Sequence, residues 1–409
     1  MALKPNEKEL LKTLCVRLAE IAARPEHARR RRLWEKHNTL QGERPMFLAD
    51  QLPWNELDPA CDRANAVIGD DYWKRVEIWM KREIWKAENL LTDAVVDPYV
   101  KLPVPYRHSG RGISSRVTEL KLDAKGDVAS QKMECILNEP EDAEKILDPV
   151  IEPLPEKRRE VSETADELFS GILPWRFTGP VMHLGAWDNI AYWMGVENLY
   201  IELIDRPEMM HAIMERMTRT YFAEIRQFNQ YGLYDTCENY CHCSQTYMPG
   251  DDPDREGTTF GGWAFGLAQP FTSVSPKVTE EFECAYMKRV FPYFKNIYYG
   301  CCDRLDDRME YVSALPNVRK MSCSPWSHRE AFAEKLPASI IMSNKPNPAF
   351  LAGDGFDEDT VRADIRYTVE TARKYGKTLE MILKDVSTVR YDVSRLQRFC
   401  AIAMEEAGA

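Results

Sequence analysis

A regular alternation of strand-like and helix-like segments over residues 260–407 is the feature that most constrains the fold of this chain. Short apolar runs are each followed by a segment with the three- and four-residue apolar spacing of an amphipathic helix. The successive strand and helix segments are 260–269 and 276–294, 296–301 and 304–314, 318–324 and 328–336, 339–344 and 358–375, and 379–385 and 392–407. Strands that alternate with helices pair in parallel through right-handed crossovers, so we predict an α/β protein.

Two arrangements suit so many strand–helix units, a (β/α)8 TIM barrel and a doubly wound open sheet. None of the units opens with the G-x-G-x-x-G turn that cradles a dinucleotide phosphate in a Rossmann domain. We therefore predict a (β/α)8 TIM barrel over residues 101–409. Residues 1–100 contain the helix-like segments LLKTLCVRLAEIAA and DDYWKRVEIWMKREIWKAENLL, which predict an α-helical N-terminal extension.

Composition and charge narrow the classes of partner. Acidic residues outnumber basic residues by 65 to 54, and the net charge of −11 argues against nucleic acid or an anionic membrane as a partner. No run of about 18 apolar residues could span a membrane, and the charged N-terminal segment lacks a signal-peptide core. We expect a cytoplasmic protein with reduced cysteines whose partner is a small molecule or another protein. Whether it forms a homodimer stays open.

Reactive side chains are concentrated where the predicted strands end. The strand ends carry Gly300, Cys301 and Cys302; Ser322, Cys323 and Ser324; Ser343, Asn344 and Lys345; and Lys384 and Asp385. Cys237, Cys241 and Cys243 add further thiols to the same half of the chain. In a barrel the carboxyl ends of the strands form the mouth at which catalysis takes place, so we expect the functional site there.

These strand ends, which read YYGCCDRLDD, VRKMSCSPW, IIMSNKPNPAFLA and EMILKDVSTV, resemble those of the uroporphyrinogen decarboxylase superfamily. The blocks HLGAWDNIAYWMGVENLYIELIDRPEMMHAIMERM and WAFGLAQPFTSVSP extend the resemblance. The resemblance covers roughly the C-terminal 230 residues, and the N-terminal part is similar only to long members of the superfamily. It implies a single (β/α)8 barrel with an N-terminal extension and a substrate pocket at the carboxyl ends of the strands.

The superfamily contains decarboxylases of porphyrinogens and methyltransferases that exchange a methyl group with the cobalt of a separate corrinoid protein. True decarboxylases carry an Arg-rich segment of the type RQAGRY near their start, and the nearest feature here is Arg44–Pro45. The resemblance is therefore closer to the methyltransferases. It implies a place in anaerobic metabolism, a corrinoid (cobalamin-type) protein as partner and a small-molecule methyl donor.

Superfamily methyltransferases that act on thiols use a zinc site with a His-x-Cys pair at one strand end and a later Cys. At the matching positions this chain has Tyr299, Gly300 and Cys301, and its last strand ends in Lys384 and Asp385. The thiol-type zinc pattern is therefore incomplete. Zinc binding stays an open expectation that would need other donors.

Other donors for such a metal lie close to the predicted mouth. His242 stands between Cys241 and Cys243 near the end of a strand predicted at 235–243, although neighbours on an extended segment point to opposite sides unless the chain turns. The candidate metal ligands are His242, Cys301, Cys302 and Asp385. The candidate catalytic residues are Cys301, His242 and Asp385.

Several other residues are candidates for substrate binding. Asp188 follows a predicted strand, and such loops line barrel pockets. Trp263, Phe265 and Gln269 lie in the block GGWAFGLAQPF, which could line a flat apolar pocket or simply pack the barrel. Lys345 lies in the Pro-stiffened loop SNKPNP and would bind an anion, act in catalysis or form a loop salt bridge.

His183, at the end of an apolar run, is a candidate acid or ligand, but we favour a structural role for it. Gly261 and Gly262 would permit close approach of the backbone to a ligand or mark a bulge.

The function expected from the resemblance is methyl transfer of the O-demethylase type. A methyl group would pass from a small methoxylated substrate, aromatic ones included, or from a methylated substrate to the cobalt of the corrinoid protein, and the enzyme would stabilise the charge left on the substrate. The first alternative is decarboxylation of a tetrapyrrole or another carboxylated substrate. The second is a non-catalytic receptor for a tetrapyrrole or corrinoid.

Overall fold

The computed structural model describes residues 3–114, 117–120, 130–233, 239–250 and 262–409, with backbone only for 117–120 and 130–132. Cys237, Gly261 and the turn of the hairpin-like segment 122–130 lie outside the described residues. Within the described part of the chain, no helix is both long enough and apolar enough to cross a membrane.

A seven-stranded parallel sheet forms the centre of the molecule. The described strands, in chain order, are β1 (Met46–Ala49), β2 (Val100–Pro103), β3 (Tyr106–His108), β4 (Val117–Leu120), β5 (Ser130–Met133), β6 (Ile151–Pro153), β7 (Trp175–Thr178), β8 (Met182–Leu184), β9 (Tyr240–Cys241), β10 (Ser244–Gln245), β11 (Trp263–Gly266), β12 (Asn296–Tyr299), β13 (Val318–Cys323), β14 (Ile341–Asn344) and β15 (Leu379–Leu383). The strand order of the large sheet is β1-β15-β14-β13-β12-β11-β8, and all its pairs are parallel. The predicted α/β class is thereby confirmed.

Helices follow the sheet strands as the sequence predicts. They are α1 (Pro5–Ala22), α2 (Pro25–Asn38), α3 (Trp54–Leu57), α4 (Asp71–Asn89), α5 (Pro155–Phe169), α6 (Ala186–Met194), α7 (Val196–Asp205), α8 (Pro207–Gln230), α9 (Pro276–Thr279), α10 (Ala285–Val290), α11 (Met309–Val312), α12 (Arg329–Lys335), α13 (Ala349–Ala352), α14 (Glu358–Lys374) and α15 (Val393–Glu406). A π-helical segment, Glu280–Cys284, joins α9 to α10. Strands β12, β14 and β15 are buried along their whole length, as parallel strands covered by helices should be.

The structure differs from the predicted division at residue 100. Helices α1, α2 and α4 do form in the first hundred residues, but β1 lies among them and pairs in parallel with β15. The four residues of β1 are all buried. A run of four residues is too short to show a clear apolar period. The sequence pattern therefore does not distinguish β1 from the helix-like segments on either side of it.

The two edge strands of the large sheet, β1 and β8, are connected only partly by backbone hydrogen bonds through neighbouring segments. Strand β2 pairs in parallel with β7, and β7 leads directly into β8. In the described residues no ladder joins β1 to β2, although the Asp93 amide donates to the Phe47 carbonyl oxygen at 2.9 Å. Gln245 fills part of this seam, because its side-chain amide bonds both the amide nitrogen and the carbonyl oxygen of Val95, at 3.1 and 3.3 Å. The backbone bonds thus establish the parallel sheet, whereas a closed eight-stranded barrel would need a further ladder.

Two smaller strand pairs are hairpins. Strands β4 and β5 pair antiparallel. Strands β9 and β10 pair antiparallel around His242 and Cys243, whose φ angles are 47° and 65°. Two consecutive positive φ angles are typical of a tight type I′ turn. The strand predicted at 235–243 is therefore, in its described part, the first arm of a hairpin.

Candidate functional site

The backbone after β12 turns sharply so that a thiol faces the edge of the sheet where the strands end. Gly300 has a φ of 87°, and a Cβ atom there would lie 2.6 Å from Leu305 Cδ1, so glycine is required. Two hydrogen bonds then fix the next residue. Asp303 Oδ1 accepts from the Cys301 amide at 2.6 Å, and the Ser322 hydroxyl donates to the Cys301 carbonyl oxygen at 2.6 Å. The position of Cys301 is thus held from both sides.

Lys384 joins the end of β15 to the end of β12. Its Nζ lies 3.2 Å from Cys301 Sγ, 3.8 Å from Cys302 Sγ and 2.7 Å from Asp385 Oδ2. The two sulfur atoms are 3.6 Å apart, and Cys302 Sγ lies 3.4 Å from Asp385 Oδ2. We call these four residues the thiol–lysine centre. It brings together Cys301, Cys302 and Asp385, three of the four predicted metal ligands.

The electrostatics of the thiol–lysine centre favour one thiolate. The hydrogen bond with Cys302 and the charge of Lys384 lower the pKa of Cys301 to about 7, although burial opposes this. The same hydrogen bond raises the pKa of Cys302. Burial disfavours the charged form of Lys384, yet the Cys301 thiolate and the Asp385 carboxylate together raise the pKa of Lys384. At neutral pH the centre therefore holds an ammonium beside a thiol that is close to half ionised.

His242 lies in the turn of the β9–β10 hairpin, against strands β11 and β12. Its ring stacks on Phe265 with a centroid distance of 3.8 Å and an interplanar angle of 9°, and it meets the edge of Tyr298 at 5.1 Å. Burial and the charges of Lys345 and Lys384 lower the pKa of His242 well below its usual value. Its buried Nε2 has no hydrogen-bond partner among the described residues. A neutral imidazole with a free nitrogen can bind a substrate group.

Phe265 also meets the ring of His183, which stands on the neighbouring strand β8 at a centroid distance of 5.1 Å and an interplanar angle of 69°. Phe265 thus lies between two imidazoles. The sequence favours a structural role for His183, but its side chain is exposed, so it is open to a ligand.

Lys345 follows β14 and is a buried cation without an acidic partner. Its side chain is 3% exposed, and Nζ donates to the Tyr298 hydroxyl at 2.5 Å and to the Ser343 hydroxyl at 3.1 Å. Burial lowers the pKa of Lys345 to about 8. Within the described part of the chain no carboxylate forms an ion pair with it. The loop salt bridge considered above is therefore not formed, and Lys345 can bind an anion.

Of the remaining predicted substrate-binding residues, Asp188 and Gln269 pair with each other, and Trp263 lies at the opposite end of the sheet. Asp188 lies in the first turn of α6. Its carboxylate accepts hydrogen bonds from the backbone nitrogen of Gln269 at 3.2 Å and from Gln269 Nε2 at 2.9 Å, so these two side chains are paired with each other. Burial raises the pKa of Asp188 to about 6. Trp263 is the first residue of β11 and lies under the ammonium of Lys320, at the end of the strand opposite to the thiol–lysine centre.

The thiol–lysine centre does not fit a zinc ion. The ammonium of Lys384 lies within 3.8 Å of both sulfurs and of the Asp385 carboxylate, where a cation bound by these donors would have to be. The ring of His242 is stacked on Phe265. Among the described residues, no group of three or more His, Cys, Asp or Glu side chains is arranged to hold a metal ion. A fixed positive charge thus occupies the position predicted for the metal.

The residues that the sequence analysis left out of its site are Lys384, Tyr298 and Asp303. In the sequence, Lys384 is marked only as the end of the last predicted strand, beside the candidate residue Asp385. A lysine that closes a predicted barrel strand is itself a signal, because side chains at that position face the mouth. Nothing in the sequence marks Tyr298, which reads as one more apolar strand residue.

Comparison with known proteins finds a solved structure with a similar fold. No protein-family model and no curated protein matches the chain. The structure is similar to a solved methyltransferase from Methanosarcina mazei, with a TM-score of 0.51 and 10% sequence identity, over 92% of this chain and 97% of that chain. At so low an identity the likeness shows a shared fold alone. The resemblance to the uroporphyrinogen decarboxylase superfamily stays a prediction, and the shared fold includes the N-terminal part of the chain.

Proposed function

We propose that this protein is a corrinoid-dependent methyltransferase that moves a methyl group from a small methoxylated or methylated substrate to the cobalt of a separate corrinoid protein. The observation that carries the proposal is the thiol–lysine centre, where Lys384 stabilises a Cys301 thiolate at the carboxyl ends of the strands. The fold shared with a methyltransferase supports it. We also propose that β2 completes the sheet as an eight-stranded barrel, which would make this end its mouth.

The chemistry demands a proton or a positive charge beside the departing oxygen. Breakage of the bond between the methyl carbon and the oxygen would leave the bonding electron pair on the oxygen, so both electrons of the new bond to the methyl carbon would come from the acceptor, a corrinoid reduced to Co(I). Cys301, with a pKa of about 7, is suited to give its proton to that oxygen at neutral pH. The thiolate that remains is stabilised by the Lys384 ammonium at 3.2 Å and by Cys302.

Other residues of the same end would orient the substrate. The ring of His183, which is exposed and meets Phe265 edge-on at a centroid distance of 5.1 Å, would contact an aromatic ring of the substrate. Lys345, whose ammonium bonds only hydroxyl groups, would hold a carboxylate of the substrate. A methoxylated aromatic acid satisfies both features. Asp385, whose Oδ2 lies 2.7 Å from Lys384 Nζ, would moderate the effect of the ammonium on the thiols.

The test uses the purified full-length protein, reduced cobalamin as acceptor and a panel of methoxybenzoates. Methyl transfer is followed by the change in corrinoid absorbance. We expect Cys301→Ala and Lys384→Met each to lower the rate by roughly 100-fold or more, because a group that stabilises charge in the transition state is lost. Cys135→Ala is the matched control, because Cys135 is a half-buried thiol on a different part of the chain. Full activity in Cys301→Ala would remove this residue from the mechanism.

Decarboxylation of a carboxylated substrate is the second candidate. The buried ammonium of Lys345 favours it, because among the described residues this cation bonds hydroxyl groups and no carboxylate, so it would bind the acid group before CO₂ leaves. Release of CO₂ from a uroporphyrinogen or coproporphyrinogen precursor, abolished in Lys345→Met, would establish it. Methyl transfer without CO₂ release would reject it.

A further inference from the structure

A charged cavity lies beside the seam between β1 and β2, outside the thiol–lysine centre. Its volume is about 630 Å³, and it is bordered by α4, the end of β1, β2 and the β9–β10 hairpin. None of the four residues of the thiol–lysine centre lines it. The volume lies within the range of cavities that enclose small organic ligands. We call this cavity the α4 groove.

The charges of the α4 groove are opposite to those of the chain as a whole. Its lining contains six basic residues and two acidic residues, Asp50 and Glu83, whereas the net charge of the chain is −11. The basic residues are Arg63, Lys74, Arg75, Arg82, Lys86 and Lys101. Clustered cations repel one another, so a local excess of positive charge in an acidic protein indicates a site for an anion.

The spacing of residues along α4 produces this surface. Lys74, Ile78, Arg82 and Lys86 recur every four residues and all line the α4 groove, so they form one face of the helix. Like charges at this spacing destabilise a helix modestly. The face therefore carries a cost that an anionic ligand would offset.

The basic side chains differ in how far their charge is already compensated. Lys86 pairs with Glu83 at 2.5 Å and Lys101 with Asp97 at 3.3 Å. Within the described ranges, the side chains of Arg63 and Arg75 form neither an ion pair nor a hydrogen bond. Both are exposed, so each guanidinium can donate two parallel hydrogen bonds to an acid group.

Aromatic side chains add a second kind of contact. Trp54 and Trp79 both line the α4 groove, and the guanidinium of Arg82 lies 5.0 Å from the centroid of the Trp54 ring. The ring of Trp54 is braced by an edge contact with Trp85 at 5.5 Å. A cation stacked on a fixed indole is a common surface for a planar ring that also bears negative charge.

We propose that the α4 groove binds a small organic anion that carries a planar ring and at least two acid groups. Arg63 and Arg75 bind the acid groups, and Trp79 and the Trp54–Arg82 stack contact the ring. The shared chemistry is several acid oxygens on a ring-bearing molecule, and either phosphates or carboxylates supply it. The inference rests on the groove alone and does not depend on the proposed methyl transfer.

The test is a titration of the full-length protein with ADP, with benzene-1,3,5-tricarboxylate and with inorganic pyrophosphate, followed by tryptophan fluorescence and calorimetry. We expect at least one of the two ring-bearing anions to bind saturably and at least tenfold more tightly than pyrophosphate. Binding of ADP alone assigns a phosphorylated ligand, and binding of the tricarboxylate alone assigns a carboxylated one. Binding of both shows that charge and ring suffice. Saturable binding of neither overturns the proposal.

Variants locate the binding. Arg63→Gln and Arg75→Gln should each weaken binding at least tenfold, and higher salt should weaken it further. Arg366→Gln removes the same charge from a surface arginine that bonds Glu406, outside the groove, and should leave affinity unchanged. Affinity that is unaffected by both groove variants would overturn the proposal, even if an anion binds elsewhere.

Discussion

Two buried lysines on the same sheet are held in contrasting surroundings. Lys320, in β13, donates to Glu380 Oε2 at 2.7 Å, to the Ser244 hydroxyl at 2.7 Å and to the Gln245 carbonyl oxygen at 3.1 Å. Neither side chain of the Lys320–Glu380 pair is exposed at all. Lys384 also contacts a carboxylate, but Asp385 is 48% exposed and the other neighbours are thiols.

The two lysines differ in whether their surroundings suit a structural role or a chemical one. Every proton of the Lys320 ammonium has an acceptor, and the charge is enclosed by the rings of Trp34 and Trp263 at 5.0 and 5.5 Å. No solvent or substrate can reach it. Lys384 instead shares its charge with two ionisable sulfurs at the strand ends, the edge at which parallel α/β folds place their chemistry. We therefore expect the two lysines to have different roles, because the partners of Lys320 are saturated and enclosed and those of Lys384 are not.

The largest expected effect is on folding. Lys320→Met leaves the Glu380 carboxylate buried without its ammonium, and breaking a buried pair in this way costs about 3–5 kcal/mol. We therefore expect the free energy of unfolding, measured by urea denaturation at pH 7, to fall by that amount. Lys384→Met should cost about 1 kcal/mol or less, because Cys301 can become neutral and Asp385 can turn to water.

The double variant Lys320→Met, Glu380→Leu is the control for this interpretation. It removes both charges and should recover most of the lost stability, as replacement of a whole buried pair often does. Equal losses in Lys320→Met and Lys384→Met would mean that the two lysines do not differ in the way described.

The next effect is the dependence of stability on acid. Burial opposes ionisation of Glu380, but the charge of the Lys320 ammonium outweighs it and lowers the pKa of Glu380, and His37, whose Nε2 lies 3.5 Å from Glu380 Oε2, adds to this effect. A carboxylate with a lowered folded-state pKa stabilises the protein above its unfolded pKa of about 4.3, and this stability is lost as the pH falls through the folded-state value. Urea unfolding between pH 7 and pH 3 should therefore show a smaller loss in Glu380→Gln than in the wild type. If the free energy of unfolding fell equally with pH in both proteins, Glu380 would not titrate in this way.

The sequence predicted the end of the sheet at which the thiols meet, but not the contacts between them. Cys301 and Asp385 close two of the predicted strands, and parallel pairing puts such ends at one edge. They lie far apart in the chain, so nothing in the pattern shows which side chains touch. That Lys384 would reach both sulfurs depends on the direction of its side chain, which only packing determines.

Two other differences have local causes. The turn of the β9–β10 hairpin consists of His242 and Cys243, whereas type I′ turns are usually recognised by Asn or Gly. The positive φ angles there had no sequence signal, so the segment read as a strand end. Glu380 and Lys320 read as polar residues in otherwise apolar strands, and only their mutual contact explains why both can be buried.

A smaller effect concerns the reactivity of one thiol. The rate at which iodoacetamide alkylates Cys301 should rise with pH about a midpoint near 7, because the thiolate is the nucleophile. In Lys384→Met the midpoint should move up towards about 8.5, the value of a free cysteine. Mass spectrometry of the peptides gives the rate at each cysteine. Cys323, whose pKa burial raises to about 12, should react slowly in both proteins, and an unchanged midpoint for Cys301 would separate Lys384 from its ionisation.

The smallest effect should come from Asp385→Asn, and it bears most directly on how the two lysines differ. Asp385 is half exposed, so its ion pair should contribute less than about 1 kcal/mol to the free energy of unfolding. Its removal takes a negative charge away from the thiols and frees Lys384 for Cys301, so the alkylation midpoint of Cys301 should fall by a few tenths of a pH unit. Asp385→Glu, which keeps the charge, should leave the midpoint nearer to that of the wild type. A rise of the midpoint in Asp385→Asn would mean that the carboxylate holds Lys384 against the sulfurs rather than competing with them. The thiol–lysine centre would then depend on Asp385 to position its lysine, as the position of Lys320 depends on Glu380.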